Sequence, residues 1–282
     1  MTRKLLGLLE HFSPVMGDKL FLRCKFRLMT GRHLHLKNPR SLNEKIQWLK
    51  LYDRNPFYHT MVDKVEVKGY VASKIGEEHV IPTLGVWDRP EDIDFNSLPA
   101  QFVIKCAHDS GSTIVCPDKS TFDRDAARRS LALSQQKDFA LSDREWAYSG
   151  VKPRIIAEQY LGFNPPDYKF FCHNGKPEFM FIATGRGRED METRFDFFDM
   201  NFNHLDVRNG HPNADRIPPK PALFEQMKVI AGKLSEGFPM VRVDLYEVDG
   251  KIWFGEYTFY HWSGFVPFEP EIWDYKFGTW LK

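Results

Sequence analysis

Between residues 241 and 258, VRVDLYEVDGKIWFGEYT, apolar and polar positions alternate in two runs, which predicts two strands joined by a tight turn. Val241, Val243 and Leu245 share one face of the first run, and Arg242, Asp244 and Tyr246 share the other. After Asp249-Gly250, the residues Ile252, Phe254, Glu256 and Thr258 fall on one face of the second run. Loop length decides which faces meet. A two-residue loop would set Glu256 opposite Val243 and divide the carboxylates between faces. A three-residue loop, Val248-Asp249-Gly250 with Gly250 left-handed, sets Arg242 opposite Glu256 with Asp244 one step along, and this loop is expected.

Upstream, residues 1–75 read as helical. Leu5, Leu8 and Leu9 recur at helical spacing, 19–29 mixes apolar and basic positions, and Ser41 precedes Leu42-Asn43-Glu44 at capping-box spacing. In the helix so capped, Ile46, Trp48, Leu49 and Tyr52 supply the expected buried stripe, and 61–75 reads as one further helix. An IPTLG strand carries Pro82 at its edge. The run Gln101-Phe-Val-Ile-Lys-Cys-Ala is a strand with one lysine in it, followed by a small-residue loop, His108 to Thr113, and a strand Ile114-Val115-Cys116. A charged helix is expected over 123–134 and an insertion or lid over 135–150. A strand from Arg154 ends in Glu158, and Gly162, Asn164, Pro165 and Pro166 then mark a hinge. Residues 167–172 form a hairpin with 177–184 across Asn174-Gly175. Arg186, Arg188, Glu189 and Asp190 form a charged loop, 194–200 a strand, and 224–237 an amphipathic helix.

Composition changes this picture little. With 39 basic and 38 acidic residues among 282, the chain as a whole offers no field that argues for nucleic acid or an acidic surface. Aromatics make up 15% of the chain, enough for both packing and sugar stacking. Cys24, Cys106, Cys116 and Cys172 lack CxxC spacing and read as reduced core thiols of a cytoplasmic, non-secreted protein. No run approaches the roughly 20 apolar residues of a membrane span. The Leu-rich start, residues 1–12, suits peripheral association with a membrane surface, such as the inner face of a cell membrane.

Several positions carry candidate chemistry. Two carboxylates on one face of an apolar hairpin, Asp244 and Glu256, call for a compensating cation, and oxygen ligands suit Mg²⁺. Lys105 inside an apolar strand requires an anionic partner or an exit at the strand end. The loop 109–113 presents backbone N–H groups and hydroxyls in the way that suits a phosphate, although it is neither a Walker A loop nor a GxGxxG. His108, Asp109 and Ser110 are adjacent and cannot face one another as a triad. His33 and His35 lie in a loop with no third ligand near, and Asp92-Ile-Asp94 follows a turn, although a DxD is what a metal-dependent glycosyltransferase would need.

In order, these pieces resemble the ATP-grasp superfamily. The segments are MVDK at 61–64, FVIKCAHDSGST at 102–113, IIAEQYL at 155–161, DYKFFCHNGKP at 167–177, RVDLY at 242–246 and FGEYT at 254–258. NPRSLNEKIQWLKLYD at 38–53 resembles the TupA-like branch associated with bacterial surface polysaccharide synthesis. The resemblance implies an α+β ATP-grasp fold. A helical region would span 1–75, with two α+β subdomains, 76–161 and 162–282, whose antiparallel sheets grip ATP.

Lys64 and Lys105 would then hold the phosphates under a lid of Ser110, Gly111, Ser112 and Thr113. Glu158 would be the hinge acid, with backbone groups of Gln159, Tyr160 and Leu161 at the adenine edge and Asp167 or Lys169 near the ribose or phosphates. Asp244 and Glu256 would hold Mg²⁺, with Thr258 standing where an asparagine is expected, and Arg242 would stabilise the transferring charge. The implied activity is a carboxylate–amine ligase joining a sugar acid, free or in a polysaccharide precursor, to an amine. The acceptor would sit against His261, Trp262 and Arg186. A kinase-like phosphotransferase, a glycosyltransferase and a nucleotide-binding scaffold protein are the rival readings.

Overall fold

The computed structural model describes residues 2–186 and 191–279, and its first helices are α1 (Thr2–Phe12), α2 (Asp18–Thr30) and α3 (Leu42–Tyr52). Arg188, Glu189 and Asp190, expected in a charged loop, lie outside the described residues. The Ser41 capping box closes as its spacing requires. Glu44 N–H donates to Ser41 Oγ at 3.2 Å, and the Glu44 carboxylate accepts from the N–H groups of Ser41 and Arg40 at 3.2 and 2.9 Å. The buried stripe differs from expectation, because Trp48 and Tyr52 are exposed. The covered face of α3 instead holds Leu42, Ile46 and Leu49 together with Asn43, Gln47 and Lys50. Those three polar side chains are buried because backbone groups near the C-terminus meet them: Asn43 Nδ2 reaches Val266 O at 2.9 Å, and Gln47 Nε2 reaches Ser263 O and Gly264 O, each at 2.9 Å. Of the four leucines in α1 only Leu9 is buried.

The helix expected over 61–75 is two helices, α4 (Phe57–Val62) and α5 (Val67–Ile75). Asp63 makes the break. Its carboxylate accepts from the N–H groups of Val65 and Glu66 at 2.8 and 3.3 Å, which starts a new helix. The N–H of Lys64 is thereby released to Ala107 O at 3.1 Å, and Lys64 is set beside the loop after residue 107.

A four-stranded antiparallel sheet, in the order β1-β4-β2-β3, comprises β1 (Thr83–Trp87), β2 (Phe102–Cys106), β3 (Ile114–Cys116) and β4 (Ile155–Gln159). Phe102, Ile104, Cys106, Ile155 and Ala157 share a core with Ala127 and Leu131 of α6 (Arg124–Gln135). The opposite face carries Val103, Lys105, Ile156 and Glu158. Residues 135–150 are not a free-standing lid. They form α7 (Phe139–Ser142) and a 3₁₀ turn at Trp146–Tyr148, where Ala147 O meets His59 Nδ1 at 2.9 Å and the buried Arg144 guanidinium reaches Ser13 O at 2.7 Å.

The larger sheet runs β11-β10-β5-β6-β7-β8. Its strands are β5 (Asp167–His173), β6 (Lys176–Thr184), β7 (Arg194–Asp199), β8 (His204–Leu205), β10 (Val241–Val248) and β11 (Lys251–Thr258). β9 (Arg208–Asn209) pairs only with β12 (Phe268–Glu269). One face packs under α8 (Phe224–Leu234) through Phe170, Cys172, Met180, Val241 and Val243, and α9 (Ile272–Gly278) closes the chain against α3. Asn174 and Gly175 take positive φ angles of 44° and 85°, so the β5–β6 turn is the one that its Asn-Gly pair predicts.

The β10–β11 hairpin corrects the expectation. Its loop has two residues, Asp249 (φ 54°) and Gly250 (φ 70°), between the paired Val248 and Lys251. Register then shifts by one at a bulge: Leu245 faces Phe254, yet Asp244 faces Glu256 and Arg242 faces Thr258. Gly255 is the extra residue, and it inverts the strand's phase. Ile252 and Phe254 therefore turn to the core while Glu256 and Thr258 turn to the other side. The four do not share a face.

Candidate functional site

On the face of the large sheet opposite α8, cross-strand neighbours line up from Thr258 and Glu256 through Arg242 and Asp244 to Lys169 and Asp167, then Phe181 and Phe195. The face is ionic at one end and aromatic at the other. Arg242 is its centre. The guanidinium donates from Nε to Asp244 Oδ1 and from Nη2 to Asp244 Oδ2, both at 2.7 Å, and from Nη2 to Thr258 Oγ1 at 2.9 Å. Lys169 bonds the same Asp244 oxygen and pairs with Asp167 at 2.6 Å, and Asp167 also pairs with Arg186. Burial works against a charged Asp244, but Arg242 and Lys169 outweigh it and hold its carboxyl well below the usual range. Asp167, without an arginine fork, is pushed up by burial.

Arg242 Nη1 also donates to His261 Nδ1 at 2.8 Å, and His261 Nε2 then donates to Asn209 Oδ1 at 2.8 Å. A cation on one side fixes the neutral tautomer protonated at Nε2. Burial and then Arg242 drive the imidazole's pKa well below its ordinary value. His261, expected at the acceptor, is 2% exposed with both nitrogens engaged, so it orients Arg242.

Facing this from the small sheet, Glu158 lies between two ammoniums, Lys105 at 2.5 Å and Lys68 at 2.6 Å. Lys105 has the partner that an apolar strand demands: Glu158 pairs across from Val103, and Lys105 is the next residue on that face. Burial opposes the Glu158 charge and the two lysines more than restore it. Lys64 is half-buried beside this pair, with Glu256, Lys105, Asp109 and Glu158 as its charged neighbours, and burial lowers its pKa. Lys64, Lys68 and Lys105 thus bring three ammoniums together against the carboxylates of Glu158, Asp109 and Glu256.

The 108–113 loop reaches over this cluster. Lys64 Nζ bonds Asp109 O, and Ser112 Oγ donates to Asp109 Oδ1 at 2.5 Å while accepting Cys106 N–H at 2.8 Å. Ser112 thus serves the loop itself. Gly111 at φ 94° makes the turn, and Ser110 projects into the cleft. Beyond the last ladder pair, Phe102 with Gln159, the chain leaves the sheet through Tyr160 and Leu161, which take no backbone partner among the described residues.

Between the two sheets lies a cleft of about 420 Å³. It gathers Ser110, Lys169, Arg186, Arg242, Glu256, Thr258, His261 and Trp262 from the predicted set, while Lys64, Lys105, Glu158, Asp167 and Asp244 are not among the residues that line it. Its far wall holds Tyr260 and Ser263 together with Asp143, Glu145 and Tyr148, which the sequence did not reveal, and Phe181, Thr193, Phe195 and His211 complete the lining. Trp262, Ser263 and Gly264 take consecutive positive φ angles of 47°, 55° and 65°, an uncommon run for residues with side chains. Lys50 holds this turn. Its buried ammonium donates to Ser263 O (2.7 Å), Ser263 Oγ (2.8 Å) and Asp143 O (2.9 Å), and burial pulls its pKa down to about 8 against the opposing pull of Glu145. Burial pushes Glu145 up to about 7.

Lys68 and Lys50 were also missed. Lys68 follows Lys64 by four residues, a spacing that marks one helix face, although the break at Asp63 hides it. The buried Lys50 left no signal in the sequence.

Asp244 and Glu256 stand opposite each other, and the Glu256 carboxylate has only Arg242, at 3.6 Å, as an ion-pair partner among the described residues. Three of the roughly four lone-pair positions of Asp244 are used. No group of three or more His, Cys, Asp or Glu in metal-binding arrangement occurs among the described residues, so this pair would hold Mg²⁺ only with other oxygens, such as those of phosphates. The Thr258 hydroxyl is turned to Arg242. Asp92 is tied to Arg89 at 2.7 Å and Asp94 Oδ1 accepts Asn96 N–H at 3.0 Å, so the DxD forms a turn remote from the cleft.

Two antiparallel sheets closing on such a cleft make an ATP-grasp fold. The TupA-like ATP-grasp family matches residues 44–282, and the chain belongs to it. No curated protein matches the chain. Among solved structures it is similar to an L-amino acid ligase from Bacillus licheniformis, at 13% identity and a TM-score of 0.48 over 79% of this chain and 49% of that one. A D-alanine–D-alanine ligase from Bacillus anthracis complexed with ATP has 15% identity and a TM-score of 0.42, covering 71% and 55%. The ATP-grasp ligase PsnB complexed with minimal precursor has 10% and 0.44, covering 76% and 59%. The chain spans between 49% and 59% of the length of these proteins.

Proposed function

We propose that this protein is an ATP- and Mg²⁺-dependent carboxylate–amine ligase that activates a sugar acid and joins it to an amino acid or similar amine during surface polysaccharide synthesis. The observation that carries this reading is Arg242, buried, always charged and aimed by Asp244 and His261, directly beside the Asp244–Glu256 pair.

The residues divide the work. Lys64 and Lys105 would bind phosphate oxygens beneath the loop that carries Ser110, and Asp244 and Glu256 would hold Mg²⁺, which would neutralise phosphate charge. A substrate carboxylate oxygen attacks the γ-phosphorus, the bond to the bridging oxygen breaks, and ADP leaves. The amine nitrogen then attacks the acyl carbon. Arg242 stabilises the oxyanion, the carbon–oxygen bond to phosphate breaks, and the amine proton passes to water. Positioning and fixed charge suffice for both steps, and no side chain has to serve as the nucleophile. A guanidinium suits Arg242's position because it stays charged and directional when buried. At the aromatic end Trp262, 40% exposed and 6.2 Å from the buried Phe195 ring, offers the flat apolar surface on which a sugar ring packs.

The test incubates the protein with ATP, Mg²⁺, a panel of uronic acids and a panel of amino acids, and follows ADP, phosphate and condensed product by mass spectrometry. An amide with equal yields of ADP and phosphate supports the ligase. Phosphate transferred to a hydroxyl would make the protein a kinase, and binding of UDP-sugars without ATP would discard the reading.

A further inference from the structure

The near-neutral charge of the whole chain conceals a division. Residues 1–43, which lie outside the family match, carry nine Lys or Arg against two Asp or Glu, so the other 239 residues hold 30 against 36. The basic block is also where apolar side chains stand in water. Leu5, Leu8 and Phe12 recur along one stripe of α1 and are 42%, 54% and 49% exposed, and Val15 and Leu20 beside them are 83% and 57% exposed. On α2, Phe21, Leu22 and Phe26 turn inward to Leu9, Leu34, Leu36 and Phe265, which leaves Leu20, Arg23 and Arg27 on the outer face.

Two of the nine cations form ion pairs among the described residues, Lys25 with Asp143 and Arg32 with Glu271 and Asp274, and Arg27 donates to the Gly31 carbonyl. Arg3, Lys4, Lys19, Arg23 and Arg27 have no ion pair among the described residues. No described helix is long and apolar enough to cross a membrane.

We infer that α1 and α2 form a docking surface for an anionic lipid bilayer, on which the exposed leucines and Phe12 enter the boundary between headgroups and acyl chains and the unpaired Lys and Arg side chains lie among lipid phosphates. Basic side chains alone would equally suit a nucleic acid. The exposed apolar stripe decides for lipid, because nucleic acid offers nothing to cover five large apolar side chains, whereas a bilayer interface takes both kinds at once. The surface is independent of the cleft chemistry, so either assignment can fail without the other.

The test is co-sedimentation of the full chain with vesicles of phosphatidylcholine alone and of phosphatidylcholine mixed with phosphatidylglycerol, at low and high salt. Binding to the mixed vesicles is expected to exceed binding to phosphatidylcholine by at least about tenfold and to weaken as salt rises. Two double variants divide the contributions. Leu8→Asp with Phe12→Asp abolishes pelleting, and Arg23→Glu with Arg27→Glu removes the preference for anionic vesicles. All four positions are exposed, and thermal unfolding midpoints matching the parent's show that the fold is intact. The inference is overturned if the folded chain stays in solution with both vesicle types, if it pellets equally with both, or if the variants bind like the parent. Salt-sensitive binding to duplex DNA without vesicle binding would assign the surface to nucleic acid instead.

Discussion

Arg242 and Asp244 stand two residues apart on one strand, and their side chains meet in a doubly bonded ion pair, 2.7 Å at each contact. The fork leaves the remaining nitrogen, Nη1, for His261, so the guanidinium plane is fixed on both sides. Lysine keeps the charge and loses the plane. Arg242→Lys is expected to lower ATP-dependent turnover by about 10²–10³-fold. Circular dichroism and steady-state rates check it. Unchanged turnover would show that the guanidinium geometry is irrelevant to the reaction.

The paired carboxylates make a second expectation. At a hundred times its dissociation constant, a ligand specific for the native state adds about 2.7 kcal/mol, which is roughly 5–10 °C in unfolding midpoint for a chain of this size. ATP should give that shift only with Mg²⁺, and Glu256→Gln should remove the metal dependence without lowering the midpoint of the free protein, since Glu256 has a single distant ion-pair partner among the described residues. Equal shifts with and without Mg²⁺ in the parent would contradict the carboxylate assignment.

Gly255 allows a third prediction. A Cβ there would lie 3.1 Å from Asp244 O and 2.9 Å from the Tyr246 ring, both on the paired strand. Gly255→Val should destabilise by about 1–3 kcal/mol, read from urea unfolding. It should also reduce turnover by more than the lost folded fraction explains, because straightening the bulge moves Glu256 off the site. Turnover that simply follows the folded fraction would detach the bulge from function.

That glycine also shows where the sequence was legible. Capping boxes and Asn-Gly turns are local, so Ser41–Glu44 and Asn174-Gly175 read correctly from a few letters. The resemblance assembled the order of the lysines, the arginine and the carboxylates, of which Arg242 and Glu256 line the cleft and Lys64, Lys105 and Asp244 do not. The hairpin register failed because strict alternation was carried through Gly255, although an isolated glycine inside a strand is itself the signal of a bulge. The single helix over 61–75 failed because Asp63 competes for backbone N–H groups. The far wall of the cleft was illegible for another reason. Glu145, Ser263 and Lys50 meet through contacts more than 90 residues long, and no local pattern records such a meeting.

A pH experiment follows from Glu145, which Ser263, Tyr148 and the charged Lys50, Asp143 and Lys25 surround. Burial raises its pKa from about 4.5 in the unfolded chain to about 7 in the fold. Between those values the folded protein binds a proton that the unfolded chain has released, so this group's contribution to stability is full below about 4.5 and falls as pH rises to about 7. Glu145→Gln should flatten that decline in unfolding midpoint. An identical pH profile in parent and variant would show that the carboxyl titrates normally.

Lys50 ties three distant parts of the chain at one ammonium: α3, the carbonyl of Asp143 and the turn at Ser263. The wall of the cleft therefore does not exist until residue 263 has been synthesised and has returned to a helix made more than 200 residues earlier. On the ribosome, Lys64, Lys68, Lys105 and Glu158 are all made earlier, so a growing chain would carry that cluster before the opposing wall exists. This wall is therefore a product of long-range folding, since residues 50, 143 and 263 must all be in place before it exists.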